Sequence, residues 1–191
     1  MRAAYVDQCE HMTLYDRILV PTDGSVEGER AVAHALDLAA VHDATVHAVH
    51  VVDTASYAGM SMEASWEGLG RLLRSDADEA VTAVEELAAG TGVDVSTAVV
   101  EGSPSREIVR YAEGNDCDLV VMGTHGRGGI DRLLLGSVAE KVVRGSVVPV
   151  LTVRIDGDVP TEPSVAEAAG EDATASDGAT DDGESEATGR T

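Results

Sequence analysis

The sequence predicts an α/β fold, a doubly wound five-stranded parallel sheet with helices on both faces. Five short apolar runs alternate with stretches of helical periodicity. Alternation makes each strand-to-strand connection a crossover, and right-handed crossovers cover both faces of one sheet. The third observation is a glycine-rich turn after the fourth apolar run, leading straight into a helix. Sheets of this kind bind ligands beyond the carboxyl ends of their strands, where the strand order reverses.

Residues 1–12 carry no periodic signal and are expected to be a flexible extension; Met12 would start a chain that runs directly into the first strand. Ile18–Pro21 reads as a short buried strand. Ser25 is an N-cap candidate for a helix with Val32, Ala35, Leu36 and Ala39 on its inner face. Thr45–Val52 is the second strand, and residues 53–66 form a polar loop. A long amphipathic helix follows, with Leu69, Leu72, Leu73, Ala80, Val84 and Leu87 at helical spacing; Gly90 and Gly92 stop it. Val93–Val100 alternates as the third strand. Ser103-Pro104 is an N-cap followed by proline at the first helical position, opening a helix with Ile108, Val109 and Ala112 inward. Leu119–Met122 is the fourth strand. Ser137-Val138-Ala139-Glu140 reads as a capping box with Ser137 at the N-cap, and Arg144-Gly145 closes that helix with a cation and a glycine. Val147–Val153 is the fifth strand, apolar and expected at a sheet edge. Residues 155–191 hold almost no large apolar side chains and are expected to be a disordered acidic tail.

The chain of 191 residues suits one domain, here 13–154 between the extension and the tail. Its net charge is −22, from 35 Asp and Glu against 13 Lys and Arg, and Lys141 is the single lysine. Residues 156–190 carry 11 acids and one base, so most of the excess stays on the body. Such a surface resembles that of a protein from a high-salt cytoplasm, where at about 1 M salt the Debye length is roughly 3 Å. A GC-rich codon bias would trade Lys for Arg in the same way. Either origin argues against nucleic acid as a partner. No apolar run approaches the about 20 residues of a membrane span, and no signal-peptide core opens the chain. Two cysteines, Cys9 and Cys117, make no disulfide framework, so a cytoplasmic location is expected.

The segment from Gly123 to Ser137 reads Gly-Thr-His-Gly-Arg-Gly-Gly-Ile-Asp-Arg-Leu-Leu-Leu-Gly-Ser, and Gly123, Gly126 and Gly136 fall in the pattern G-x2-G-x9-G-S. Glycines let backbone approach a ligand closely, and a helix N-terminus offers N–H groups and partial positive charge. Together they suit a phosphate. Arg127 and Arg132 either contact phosphate oxygens or form exposed ion pairs. Asp23, after Pro21-Thr22, either accepts hydrogen bonds from a ligand or closes an Asx turn. Other chemistries are excluded. A Walker A loop needs Gly-Lys-Ser/Thr, whereas Lys141 follows Glu140. A dinucleotide fingerprint begun at Gly126 meets Asp131 at its third glycine. No G-x-S-x-G or H-E-x-x-H pattern exists, and Cys9-Glu10-His11 lacks zinc spacing. His47 and His50, three apart on a strand, point to opposite faces and make no metal pair.

The glycine pattern, Ile18-Leu19-Val20-Pro21-Thr22-Asp23-Gly24-Ser25, His50-Val51-Val52-Asp53 and Val147–Val153 together resemble, in this order, the universal stress protein family. The resemblance spans roughly Tyr15 to Arg154. It implies strand order 3-2-1-4-5, which brings Asp23 and Gly123 to one crevice. It implies an ATP-binding member that acts as a nucleotide-responsive stress regulator and not an enzyme. Slow ATP hydrolysis, or another adenine-nucleotide chemistry of the same superfold, is the alternative. The implied nucleotide site comprises Pro21, Thr22, Asp23, Val51, Met122, Gly123, His125, Gly126, Arg127, Gly136, Ser137 and Val138. There the Val51 backbone would read the adenine edge, and Mg²⁺ or Mn²⁺ would accompany the phosphates. The resemblance also implies a homodimer formed through strand 147–153.

Overall fold

The computed structural model describes residues 13–54, 66–124, 135–154 and 163–165. Five strands and four helices alternate: β1 (Arg17–Pro21), α1 (Val26–His42), β2 (Thr45–Val52), α2 (Trp66–Ala88), β3 (Val95–Glu101), α3 (Pro104–Gly114), β4 (Leu119–Gly123), α4 (Ser137–Gly145) and β5 (Val150–Val153). The strands form one parallel sheet in the order β3-β2-β1-β4-β5. Fold class and strand order agree with the sequence expectation.

β1 sits at the centre. Ile18, Leu19 and Val20 are fully buried because both neighbours are strands and both faces are covered. Alternate residues of the sheet feed two cores. Ile18, Val20, Val46, Ala48 and Val121 pack with Val32, Leu36 and Val84 of α1 and α2. Leu19, Val49, Val120 and Met122 pack with Ile108, Ala112, Ala139 and Val142 of α3 and α4. Several inward positions on the helices are alanine, so the helices lie close on the sheet without phenylalanine anywhere in the chain.

The amino end of β1 is pinned by a carboxylate. Asp118, one residue before β4, accepts from the Asp16 N–H at 2.7 Å and from the Arg17 N–H. Arg17 in turn donates to the Asn115 carbonyl and pairs with Asp116. The residues before β1 are held by α1, where the Leu14 N–H donates to His42 Nδ1 and Tyr15 meets the His42 ring edge-on. Burial pushes the Cys117 thiol up to about 11, helped by Asp118, so this cysteine is packing material and a poor nucleophile. His47 lies 3.3 Å from the Tyr111 hydroxyl, and burial, then the Arg17 charge, holds it below its usual range.

One sequence expectation needs correction here. The fifth strand was expected from Val147, yet β5 begins at Val150. Ser146 Oγ accepts from the Val148 N–H and donates to the Val148 carbonyl, making a turn there, and Val147 is 78% exposed. Within the stretch expected as a tail, residues 163–165 are described. Pro163 is fully buried, and the Val165 N–H donates to Asp37 Oδ1 of α1 at 3.2 Å. A proline suits such docking because it has little conformational freedom to lose. Residues 1–12, and most of the loop expected at 53–66, lie outside the described residues.

Deleting residues 163–191 should therefore lower the melting temperature by a few degrees, on the order of 1–2 kcal/mol for one buried side chain and one hydrogen bond. Asp37→Ala should reproduce part of the loss. Calorimetry at high salt, where removing tail charge matters little, is the check; equal melting of full-length and truncated chains would show that the contact contributes nothing.

Candidate functional site

At their carboxyl ends the two central strands part. Their mutual ladder covers Ile18↔Leu119 and Leu19↔Val120 and goes no further. Beyond it β1 follows β2, through Pro21↔Val49 and the Thr22 N–H to the Val49 carbonyl at 2.9 Å. β4 instead follows β5, through Gly123↔Val153 and the Thr124 N–H to the Val153 carbonyl. The opening between them holds a cavity of about 520 Å³, within the usual range for small-molecule sites.

Its floor is apolar, made by Val49, Val51 and Met122. One wall is the turn into α1, with Pro21, Thr22, Asp23 and Gly28. The opposite wall is the exit of β4 and the start of α4, with Gly123, Thr124, Gly136, Ser137, Val138 and Ala139. The structure thus brings nine of the twelve sequence-derived residues to one cavity. His125, Gly126 and Arg127, with Arg132, lie outside the described residues. Pro104 and Ile108 of α3 close a third side that sequence reasoning missed, as it missed Gly28. The signal for Pro104 was present: a proline-started helix after β3 must begin at the same sheet end as the glycine turn.

The α1 wall is rigid. Gly24 has φ +69, the left-handed conformation that glycine adopts without strain, and this turns the chain between Asp23 and Ser25. The Ser25 N–H and hydroxyl both donate to Asp23 Oδ1, at 3.1 and 2.5 Å. Ser25 Oγ then accepts from the Gly28 N–H, so Ser25 is the N-cap of α1 as expected.

The α4 wall differs. Ser137 was expected at the N-cap of a capping box. The N-cap is instead Gly136, which has no side chain to cap with, and Ser137 is the first helical residue. The Gly136 carbonyl closes the first turn by accepting from the Glu140 N–H at 2.8 Å, while the Glu140 carboxylate pairs forward with Arg144 at 2.9 Å. Glu140 is therefore committed to the next turn and does not reach back. The first N–H groups of α4 have no acceptor inside their own helix, and the residues that carry them, Ser137, Val138 and Ala139, line the cavity. The Gly136 N–H donates to the Thr124 carbonyl at 2.7 Å, which ties the two ends of the glycine-rich segment together.

The arrangement can hold an anion over α4 and a hydrogen-bond donor beside Asp23, with apolar surface between. Among the described residues no group of three or more His, Cys, Asp or Glu could hold a metal ion, and no helix is long and apolar enough to cross a membrane.

Comparison with known proteins places these features in a family. Residues 14–154 match the model of the universal stress protein family. The universal stress protein MJ0531 of Methanocaldococcus jannaschii is 44% identical over 141 residues, which is 74% of this chain and 83% of the relative. Among solved structures, MJ0577 of the same organism superposes with a TM-score of 0.67 at 32% identity, covering 75% of this chain and 99% of the other. A universal stress protein solved in complex with cAMP superposes at 0.50 with 29% identity, covering 74% of this chain and 98% of the other. A chain that matches the family model across its whole sheet, with this strand order, belongs to the universal stress protein family.

Proposed function

We propose that the crevice between β1 and β4 binds an adenine nucleotide, with ATP as the working ligand, and that occupancy is the signal this protein passes on. One observation carries the reading: α4 begins on a glycine that brings no capping side chain, and its first residues line a cavity floored by apolar side chains. That pairing offers phosphate binding at one end and a surface for a base at the other. The family relative solved with cAMP supports an adenine nucleotide over other phosphorylated ligands.

In this reading the adenine lies over Val51 and Met122, its edge read by the Val51 backbone. Asp23 accepts from a hydroxyl or amino group of the nucleoside. The phosphates meet the N–H groups of Ser137 and Val138. Gly123, Gly126 and Gly136 leave room for close approach, and His125 and Arg127 line the same segment. Mg²⁺ or Mn²⁺ would come with the nucleotide, held by phosphate oxygens and water, as is usual for Mg²⁺. The described protein residues offer it no cage, so no step is assigned to it. Occupancy of this crevice is what a partner reads. Regulation and not turnover is the proposed role, in the cytoplasm of a cell with high internal salt. Purified protein should release an adenine nucleotide on heating. ADP accumulating at enzymatic rates would move the protein to the ATP-hydrolysing class.

Gly136→Val should abolish ATP binding and leave the fold intact. Position 136 has φ −59 and ψ 152, which valine tolerates, so the effect would come from the side chain crowding the phosphate approach. Calorimetry with an unchanged dissociation constant would remove the phosphates from this segment. Asp23→Ala should weaken ATP binding by about 1–3 kcal/mol, the cost of losing a charged hydrogen-bond partner. An equal affinity with a lower melting temperature would reduce Asp23 to a turn residue.

We further propose that two copies pair through β5. The Val120 N–H donates to the Pro149 carbonyl and the Thr124 N–H to the Val153 carbonyl. Backbone groups of alternate residues thus face β4, and those of Val150 and Thr152 turn away from it. An apolar edge strand with outward N–H groups is a template for a second strand, and twofold symmetry closes the pair. Sedimentation in high salt should give a dimer. Thr152→Pro, which removes an outward donor at a position where edge strands accept proline, should give a folded monomer; a monomeric parent protein at tens of micromolar would overturn the pairing.

A further inference from the structure

We infer that Ser25 is a positioning residue of the nucleotide site, through its grip on Asp23, and not only the cap of α1. The inference rests on the nucleotide reading above and deepens it, because it says what gives Asp23 its direction.

Ser25 is one of two polar or charged side chains that are buried among the described residues, at 8% exposure. A serine hydroxyl has one proton and two lone pairs. The proton goes to Asp23 Oδ1 at 2.5 Å, and a lone pair takes the Gly28 N–H at 3.1 Å. The hydroxyl is therefore fixed from both sides. The Ser25 N–H meets the same carboxylate oxygen at 3.1 Å. Two donors converge on one oxygen and fix its position. An N-cap needs none of this: it requires only the bond from Gly28. The bond to Asp23 is additional, and it joins the helix start to a residue lining the cavity.

The space around the pair is equally specific. A Cβ on Gly28 would lie 3.1 Å from Asp23 Oδ1 and 3.2 Å from Ser25 Oγ, both closer than ordinary contact. Glycine at position 28 lets the carboxylate lie flat against the first turn of α1. Gly24, with φ +69, returns the chain so that residue 25 can reach back to residue 23. Asp23-Gly24-Ser25 and Gly28 thus form one unit, in which the helix cap holds one oxygen of an acid that lines the cavity. A preorganised acceptor binds more tightly than one that must be ordered on binding.

The test is a double-mutant cycle read by ATP calorimetry, with melting curves of each variant without nucleotide. Ser25→Ala should weaken ATP binding about tenfold and lower the melting temperature. Ser25→Thr, which keeps the hydroxyl, should restore affinity. In the Asp23→Ala background, Ser25→Ala should cost no further affinity, because its target is already gone. Ser25→Ala with a lower melting temperature but unchanged affinity would overturn the assignment and leave Ser25 a cap alone. Equal losses with and without Asp23 would also overturn it, by showing that Ser25 acts through something else. Failure of the parent protein to bind ATP would instead overturn the nucleotide reading, and this assignment with it.

Discussion

The parallel pairing of β1 with two partners is the constraint on which the rest of the molecule depends. β2 lies on one side and β4 on the other. A strand so placed has no edge and no exposed face, which is why Ile18, Leu19 and Val20 are all fully buried. The chain must leave β1 towards β2 and β3, then cross back to reach β4. That reversal parts the connections at the carboxyl ends, and the crevice follows from it. The short β1–β4 ladder lets the two strands separate above Leu19 and Val120. The other end is kept closed by the Asp118 carboxylate, which holds the Asp16 and Arg17 N–H groups. One end is tied and the other is open, and the site is at the open end.

Two of the helices that start at that open end treat their first turns in opposite ways. α1 is capped by its own Ser25, and the cap is spent on structure and on Asp23. α4 has a glycine, Gly136, at its N-cap and so brings no capping side chain there. A helix whose first N–H groups are not taken by its own sequence can give them to a ligand. An acidic protein has particular use for this arrangement. Backbone dipoles can hold an anion without a cluster of lysines, and the chain has one lysine in all, Lys141, placed in α4 itself.

Much of this was legible in the sequence. Alternating apolar runs and helical stretches gave five strands and four helices in the right places, because buried parallel strands must be apolar on both faces. The Asp23 turn and the glycine pattern were legible because they need residue types that few other structures need. The failures were local competitions. Ser137-Val138-Ala139-Glu140 has the letters of a capping box, but Glu140 pairs with Arg144 and Gly136 takes the cap position. Val147 looks like strand and is exposed, because Ser146 folds the backbone into a turn ahead of Pro149. Pro163 stood in an acidic, low-complexity stretch, and nothing near it in sequence announces burial.

The sequence by itself determined the fold class, the order of elements along the chain, and which residue types stand at the strand ends. Those are set by short-range periodicity and by the backbone needs of glycine, proline and capping residues. Only the tertiary structure decided which strand ends face one another, which residue takes the N-cap of α4, and what Asp37 holds. Asp37 and Val165 stand 128 residues apart in sequence, and the Asp23 carboxylate takes the Ser25 hydroxyl beside the Asx-turn N–H that the sequence already offered. A one-dimensional pattern carries the donors and acceptors, but their pairing is fixed only when the core brings them within 3 Å or so of each other.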